Sequence, residues 1–128
     1  MKEMKIEQSF TTPLINLKGT GQLIIHGKSM PENSLEFYQP VFHWIDGYSQ
    51  YPANITILDV NLEFFNSSSS KCILTILKGL EKIKKQGVEV SINWHYTDDD
   101  EEMLEAGKDF AAILNLGFSF IKGTERRN

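Results

Sequence analysis

Six consecutive residues, Asn66, Ser67, Ser68, Ser69, Ser70 and Lys71, gather hydroxyl chemistry at one point of the chain. They lie between residues 55–65, where apolar side chains alternate, and residues 72–85, where they recur at helical spacing. That order reads as strand, loop and helix. One hydroxyl is enough to cap a helix, accepting from an amide two or three residues on, so three of the serines are spare. A phosphoryl group on one of them would carry about −1.5 to −2 charges. It would sit where helix amides and the positive end of the dipole favour an anion. The plainer reading is a serine-rich loop with a single capping hydroxyl.

Other reactive groups form weaker constellations. Cys72 stands one turn into the predicted helix, where the dipole can lower a thiol's pKa, and His26, His43 and His95 are possible bases. Yet Cys72 adjoins the apolar stripe, as a small buried hydrophobe would, and nothing in the spacing sets a histidine beside it. The acidic residues 98–102 could attract a divalent ion, but carboxylates at a helix start more commonly complement its dipole. Gly19-Thr20-Gly21 lacks the following helix and lysine of a phosphate-cradling loop, which leaves a turn. In Trp94-His95-Tyr96 the two large aromatics continue an apolar face. His95 points with Asn93 to the polar side, where it could belong to a contact site.

These groups need a scaffold, and the periodicity supplies one. Residues 14–17 and 22–26 flank a glycine-containing turn and predict an antiparallel hairpin, with an edge strand over residues 4–10. Residues 27–34 are rich in turn formers and offer Ser29, Asn33 or Ser34 as helix caps. Leu35, Tyr38, Val41, Phe42, Ile45 and Tyr48 then trace an amphipathic helix, bent or restarted near Pro40. Leu58, Val60, Leu62 and Phe64 share one face of a strand, and Ile73, Ile76, Leu77, Leu80 and Ile83 form the next helical stripe, ending before Gly87. Val88, Val90, Ile92, Trp94 and Tyr96 alternate again. Met103, Ala106, Phe110, Ile113 and Leu114 mark a third helix, and residues 118–121 a last strand. Strand, helix, strand successions of this length favour parallel pairs with right-handed crossovers. The expected fold is α/β, a mixed sheet of four to six strands with two or three helices packed on one face.

Composition bounds the function class. A chain of 128 residues with 41% apolar content suits one domain, over residues 1–122, with a polar, frayed tail at 123–128. A net charge of −4 argues against nucleic acid as a partner. Lys78, Lys82, Lys84 and Lys85 cluster on the polar side of one helix, as a solvated face does. The first five residues are charged and no apolar run is long enough to cross a bilayer, so a cytoplasmic protein without membrane insertion is expected. The single cysteine excludes an internal disulfide.

Three landmarks in register carry a resemblance: Pro31-Glu32-Asn33-Ser34 before an aromatic-rich helix, Asn66-Ser67-Ser68-Ser69 at the strand-to-helix junction, and Trp94-His95-Tyr96. Over residues 27–120 the chain resembles the SiaC-type regulatory phosphoproteins of bacteria. The resemblance implies a STAS-like domain and a non-enzymatic switch protein with no cofactor. It implies a histidine-kinase-like ATPase that phosphorylates the hydroxyl after the motif asparagine, and a PP2C-type phosphatase that removes the phosphate. The unphosphorylated form would bind and activate a diguanylate cyclase, raising cyclic di-GMP and favouring biofilm formation. By position the acceptor is Ser67, with Ser68 and Ser69 as neighbouring candidates. Asn66, Ser68, Ser69, Ser70 and Lys71 would surround the phosphate. Pro31, Glu32, Asn33, Ser34 and His95 are candidates for the partner surface. The alternative is a STAS-like domain that binds an anion or small molecule at the same serines without covalent modification. A hydrolase using Cys72 or the acidic cluster ranks behind both.

Overall fold

The computed structural model describes residues 1–123. In chain order its elements are β1 (Met4–Ile6), β2 (Leu14–Leu17), β3 (Gln22–Ser29), α1 (Ser34–Tyr48), β4 (Ile55–Phe65), α2 (Ser67–Lys85), β5 (Glu89–Thr97), α3 (Glu101–Ile113) and β6 (Gly117–Gly123). The strands form a single six-stranded sheet in sequence order, β1 to β6. The first three pair antiparallel and β3 to β6 pair parallel, because each later strand is reached across a helix. The predicted hairpin closes through Lys18 N donating to Gln22 O and Gly21 N to Lys18 O, both at 3.0 Å. Gly21 has φ +100°, and a Cβ there would lie 2.1 Å from the Ile55 carbonyl oxygen, so a side chain has no room.

One face of the sheet presents Ile15, Leu17, Leu23, Ile25, Leu58, Val60, Leu62, Val90, Ile92 and Trp94 to a core shared with all three helices. Full burial of a side chain of this size contributes about 1.5–3 kcal/mol each, which fixes the helices to that face. Since β3, β4 and β5 are parallel and each leads directly into a helix, the N-termini of α1, α2 and α3 all emerge at the same edge of the sheet. That edge carries the serines.

Packing overrode the sequence pattern at identifiable places. β1 ends at Ile6 rather than residue 10, whereas β3 runs on to Ser29 through residues expected to form a loop. Helix α1 passes through Pro40 without a break, since Tyr38, Val41, Trp44, Ile45 and Tyr48 bury its inner face on both sides of the proline. Leu35 and Ile113, assigned to buried stripes, are 64% and 65% exposed, and Trp44 and Gly107 are buried in those helices instead. Between Gly27 and Lys28 the β3/β4 register slips, so that Lys28 faces Phe64 and Glu63 is passed over. The slip hands the core position to Phe65, whose ring meets Trp94 at 6.3 Å, and leaves Phe64 exposed. Trp94 is fully buried but Tyr96 only partly. β6 takes in Gly123, assigned to the tail, and residues 124–128 lie outside the described residues. Among the described residues no helix is long and apolar enough to cross a membrane.

Among the described residues no helix covers the other face of the sheet. Alternation puts His26, Asp59 and His95 there, on β3, β4 and β5, and strand order makes them neighbours. Asp59 accepts hydrogen bonds from both imidazoles, His95 Nε2 at 2.7 Å and His26 Nε2 at 3.0 Å. Burial alone would raise the Asp59 pKa, but the bonds from His95 and His26 outweigh it and hold the carboxyl below its ordinary range. A carboxyl so depressed stabilises the fold above its unfolded pKa, and that stability is lost as pH falls through the folded value.

Two measurements check this architecture. Helix propensity alone favours alanine over glycine by about 1 kcal/mol. A Cβ on Gly107, however, would lie 2.5 Å from Trp94 Cδ1 and Nε1, and the indole is held by its own bond to the Met103 carbonyl oxygen at 2.9 Å. Gly107→Ala should therefore lower stability in urea titration by about 2 kcal/mol, as overpacking does; unchanged or raised stability would contradict the contact. Asp59→Asn should cost about 1 kcal/mol at pH 7, discounted for solvent exposure, and should shrink the acid-side loss of stability that wild type shows below about pH 4. Parallel stability curves for the two proteins from pH 7 to pH 2 would contradict the assignment.

Candidate functional site

Helix α2 starts at Ser67, so the serines occupy its first turn rather than a loop, and the cap is Asn66 rather than one of the hydroxyls. Asn66 has extended backbone, and its Oδ1 accepts from Ser69 N at 2.9 Å and from Ser68 Oγ at 3.2 Å. Its own amide donates to the Ser29 carbonyl at 3.0 Å, which ties the helix start to the end of β3. Helix α1 begins in the same way: Asn33 Oδ1 accepts from Glu36 N at 3.0 Å, and Ser34 is the first helical residue. An asparagine cap leaves the amides of the first two helical residues without intrahelical partners. In α2 these are Ser67 and Ser68.

The two helix starts are joined by hydroxyls. Ser34 Oγ lies 2.7 Å from Ser68 Oγ and 3.3 Å from Ser69 Oγ. Ser69 donates to the Ser29 carbonyl at 3.0 Å and accepts from Ser29 Oγ at 2.8 Å. The single Ser29 proton is thereby used, so the 2.6 Å contact between Ser29 and Tyr38 has the phenol as donor. Burial pushes the Tyr38 pKa up to about 12, against the lowering effect of the Ser29 bond, and keeps that phenol protonated. Ser29, Ser34, Tyr38 and Ser69 are all buried, and among the described residues no buried side-chain polar atom lacks a partner. A buried polar cluster satisfied this fully is rigid, because its hydrogen bonds tie β3, α1 and α2 to one another.

The cluster sorts the serines. Ser67 is exposed, and among the described residues its hydroxyl has no hydrogen-bond partner. Ser68 is exposed but bonded to Ser34 and Asn66. Ser69 is fully buried, which takes it out of reach as an acceptor, and Ser70 is half-buried. Lys71 is exposed one turn beyond Ser67, the spacing at which helical side chains meet.

The expected partner surface is only partly at the surface. Glu32 and Asn33 are exposed, whereas Pro31 and Ser34 are buried, Ser34 because it belongs to the hydroxyl cluster. His95 lies on the open face of the sheet, bonded to Asp59. Sequence reasoning missed Ser29, Ser34 and Tyr38 as members of the cluster. The repeated Asn-Ser at both helix starts was the available signal. Cys72 is buried, and burial raises its pKa, opposite to the lowering a nucleophile needs. Asp100 caps α3 by accepting from Met103 N at 3.1 Å, which gives the acidic run a structural role. A groove of about 410 Å³ between α1 and α2, lined by Phe42, Ile45, Thr75, Gly79 and Lys82 among others, includes none of Ser67, Ser68, Ser69 and Ser70.

Comparison with known proteins converges on one family. The model of the SiaC family regulatory phosphoproteins matches residues 6–123. An uncharacterised protein of Pseudomonas aeruginosa strain UCBPP-PA14 is 32% identical over 120 residues, 93% of this chain and 95% of that protein. The crystal structure of apo-SiaC from Pseudomonas aeruginosa superposes with a TM-score of 0.86 at 30% identity, covering 94% of this chain and 99% of that one. SiaC in complex with the diguanylate cyclase SiaD, of which it is the activator, superposes with a TM-score of 0.85, also at 30% identity and with the same coverage. With the same strand-to-helix architecture and a match over nearly its full length, the chain belongs to the SiaC family of regulatory phosphoproteins.

Proposed function

We propose that this chain is a non-enzymatic switch that binds and activates a diguanylate cyclase in the cytoplasm, and that reversible phosphorylation of Ser67 turns the binding off. A dedicated histidine-kinase-like serine/threonine kinase would add the phosphate and a PP2C-type phosphatase would remove it, so that cyclic di-GMP output and biofilm formation follow the unmodified form. The observation that carries the choice of residue is the state of the four hydroxyls: Ser69 is buried, Ser70 half-buried, Ser68 bonded to its neighbours, and Ser67 exposed without a partner among the described residues. The solved complex of a family member with a cyclase supports the choice of partner.

The local electrostatics explain how the fold tolerates the charge. A phosphate on Ser67 would meet the amides of Ser67 and Ser68 at the positive end of α2, an interaction of about 0.3–1 kcal/mol. Lys71 stands within a turn of it. Folding should hardly change, while a partner laid over this edge would have to bury an unpaired dianion at a cost of several kcal/mol. At about 1.4 kcal/mol per decade, two to three decades of affinity would be lost without any large conformational change.

With ATP and the cognate kinase, intact mass should rise by one phosphoryl group mapped to Ser67, and Ser67→Ala should remain unmodified. Ser67→Ala should bind the cyclase as wild type does. The phosphorylated chain should bind about 100-fold to 1,000-fold more weakly, with Ser67→Asp in between. An unmodified protein that instead retains a free phosphate would favour the anion-binding alternative, and equal affinity of the modified and unmodified forms would overturn the switch.

A further inference from the structure

Ser67 and Ser68 are adjacent, both exposed, and carry the same nucleophile, so exposure alone does not explain why a kinase would modify one and spare the other. The geometry points to Ser34, on the other helix, as the residue that makes this choice. The inference rests on the phosphorylation reading above and concerns its selectivity.

Proton bookkeeping gives the reason. Ser68 Oγ donates its one proton to Asn66 Oδ1 at 3.2 Å, so in the 2.7 Å contact with Ser34 the Ser34 hydroxyl is the donor. In phosphoryl transfer from ATP, a bond forms between the serine oxygen and the γ-phosphorus while the bond from that phosphorus to the bridging oxygen breaks. ADP leaves, and the hydroxyl proton passes to a base on the kinase. On Ser68 the proton to be removed is held by Asn66, and one of the two lone pairs is held by Ser34. Ser34 cannot follow Ser68 outward, because it is only 4% exposed and packed in the hydroxyl cluster. Attack by Ser68 would therefore leave a buried hydroxyl with nothing but its longer, 3.3 Å contact to Ser69. Attack by Ser67 breaks none of these bonds. Ser34 thus acts as a positioning residue that holds the second candidate out of the reaction and leaves Ser67 to accept.

The test uses the tagged full chain expressed in its own cells, with the phosphate placed by tandem mass spectrometry of the peptide spanning residues 66–71. Wild type should carry phosphate predominantly on Ser67, and Ser67→Ala alone should be barely modified on Ser68. Ser34→Ala should raise the Ser68 share about tenfold, the factor expected for one lost hydrogen bond. Ser34→Ala combined with Ser67→Ala should be modified on Ser68. Ser34→Gly, which also lacks the hydroxyl, should behave like Ser34→Ala. Because the readout is the ratio between two neighbouring sites, a general loss of stability does not imitate it. Unchanged ratios in both Ser34 variants, or ready modification of Ser68 in Ser67→Ala, would overturn the role of Ser34 while leaving Ser67 as the acceptor. Wild type with no phosphate on either serine would overturn both readings.

Discussion

Two helices that start side by side at one edge of the parallel part of a mixed sheet present the same physical problem twice. Each leaves amides without partners, and the pair would set like dipole ends against each other. This chain meets it with an asparagine at each start, Asn33 and Asn66, and with a buried hydroxyl cluster that runs from Tyr38 through Ser29 to Ser69, while Ser34 joins the two helix starts through Ser68. The cluster depends on the topology, since Ser29 ends β3 and Ser69 lies in the helix that follows β4, and the two strands are adjacent and parallel. Removing Ser29 would leave the Tyr38 phenol unpaired inside the protein, a cost of about 1–3 kcal/mol. The arrangement is therefore rigid, and its rigidity fixes which groups face outward.

From that constraint the roles of the serines separate. One is a structural hydroxyl inside the protein, one is held by its neighbours, and one projects at the electropositive start of α2. Under the proposed switch, a charge placed there would interact with amides the cap leaves open and disturb no buried bond, and would so act on a docking partner rather than on the fold. The opposite face of the sheet is organised separately, around the Asp59 carboxylate held between His26 and His95. Among the described residues no hydrogen bond connects the two clusters.

Much of the architecture was legible because the periodicities were strong. The bounds of β2 and β4 follow directly from the pattern, as do the parallel pairs, the single helical layer and the turn before β3. The failures have local physical causes. Phe64 lost its core place to Phe65 through a register slip that alternation does not encode. Pro40 did not break α1 because burial on both sides outweighed its missing amide. The serines were read as a loop because hydroxyls suit caps and turns, yet asparagine took the cap and left them in the first turn. Ser34 was read as a surface residue, and only the proximity of the two helix starts explains its burial. The meeting of His26, Asp59 and His95 required strand order, which no single segment contains.

The central claim is that a phosphate on Ser67 acts at the surface while the hydroxyl cluster beneath it stays intact. Amide NMR spectra of the unmodified and the stoichiometrically phosphorylated chain test it most directly. The account predicts shifts confined to the starts of α1 and α2, around Asn33 to Glu36 and Asn66 to Lys71, with amides of β4 and β5 unmoved. Shifts or lost protection spreading through the central strands and the α1/α2 interface would show that the modification rearranges the fold, and would contradict the account.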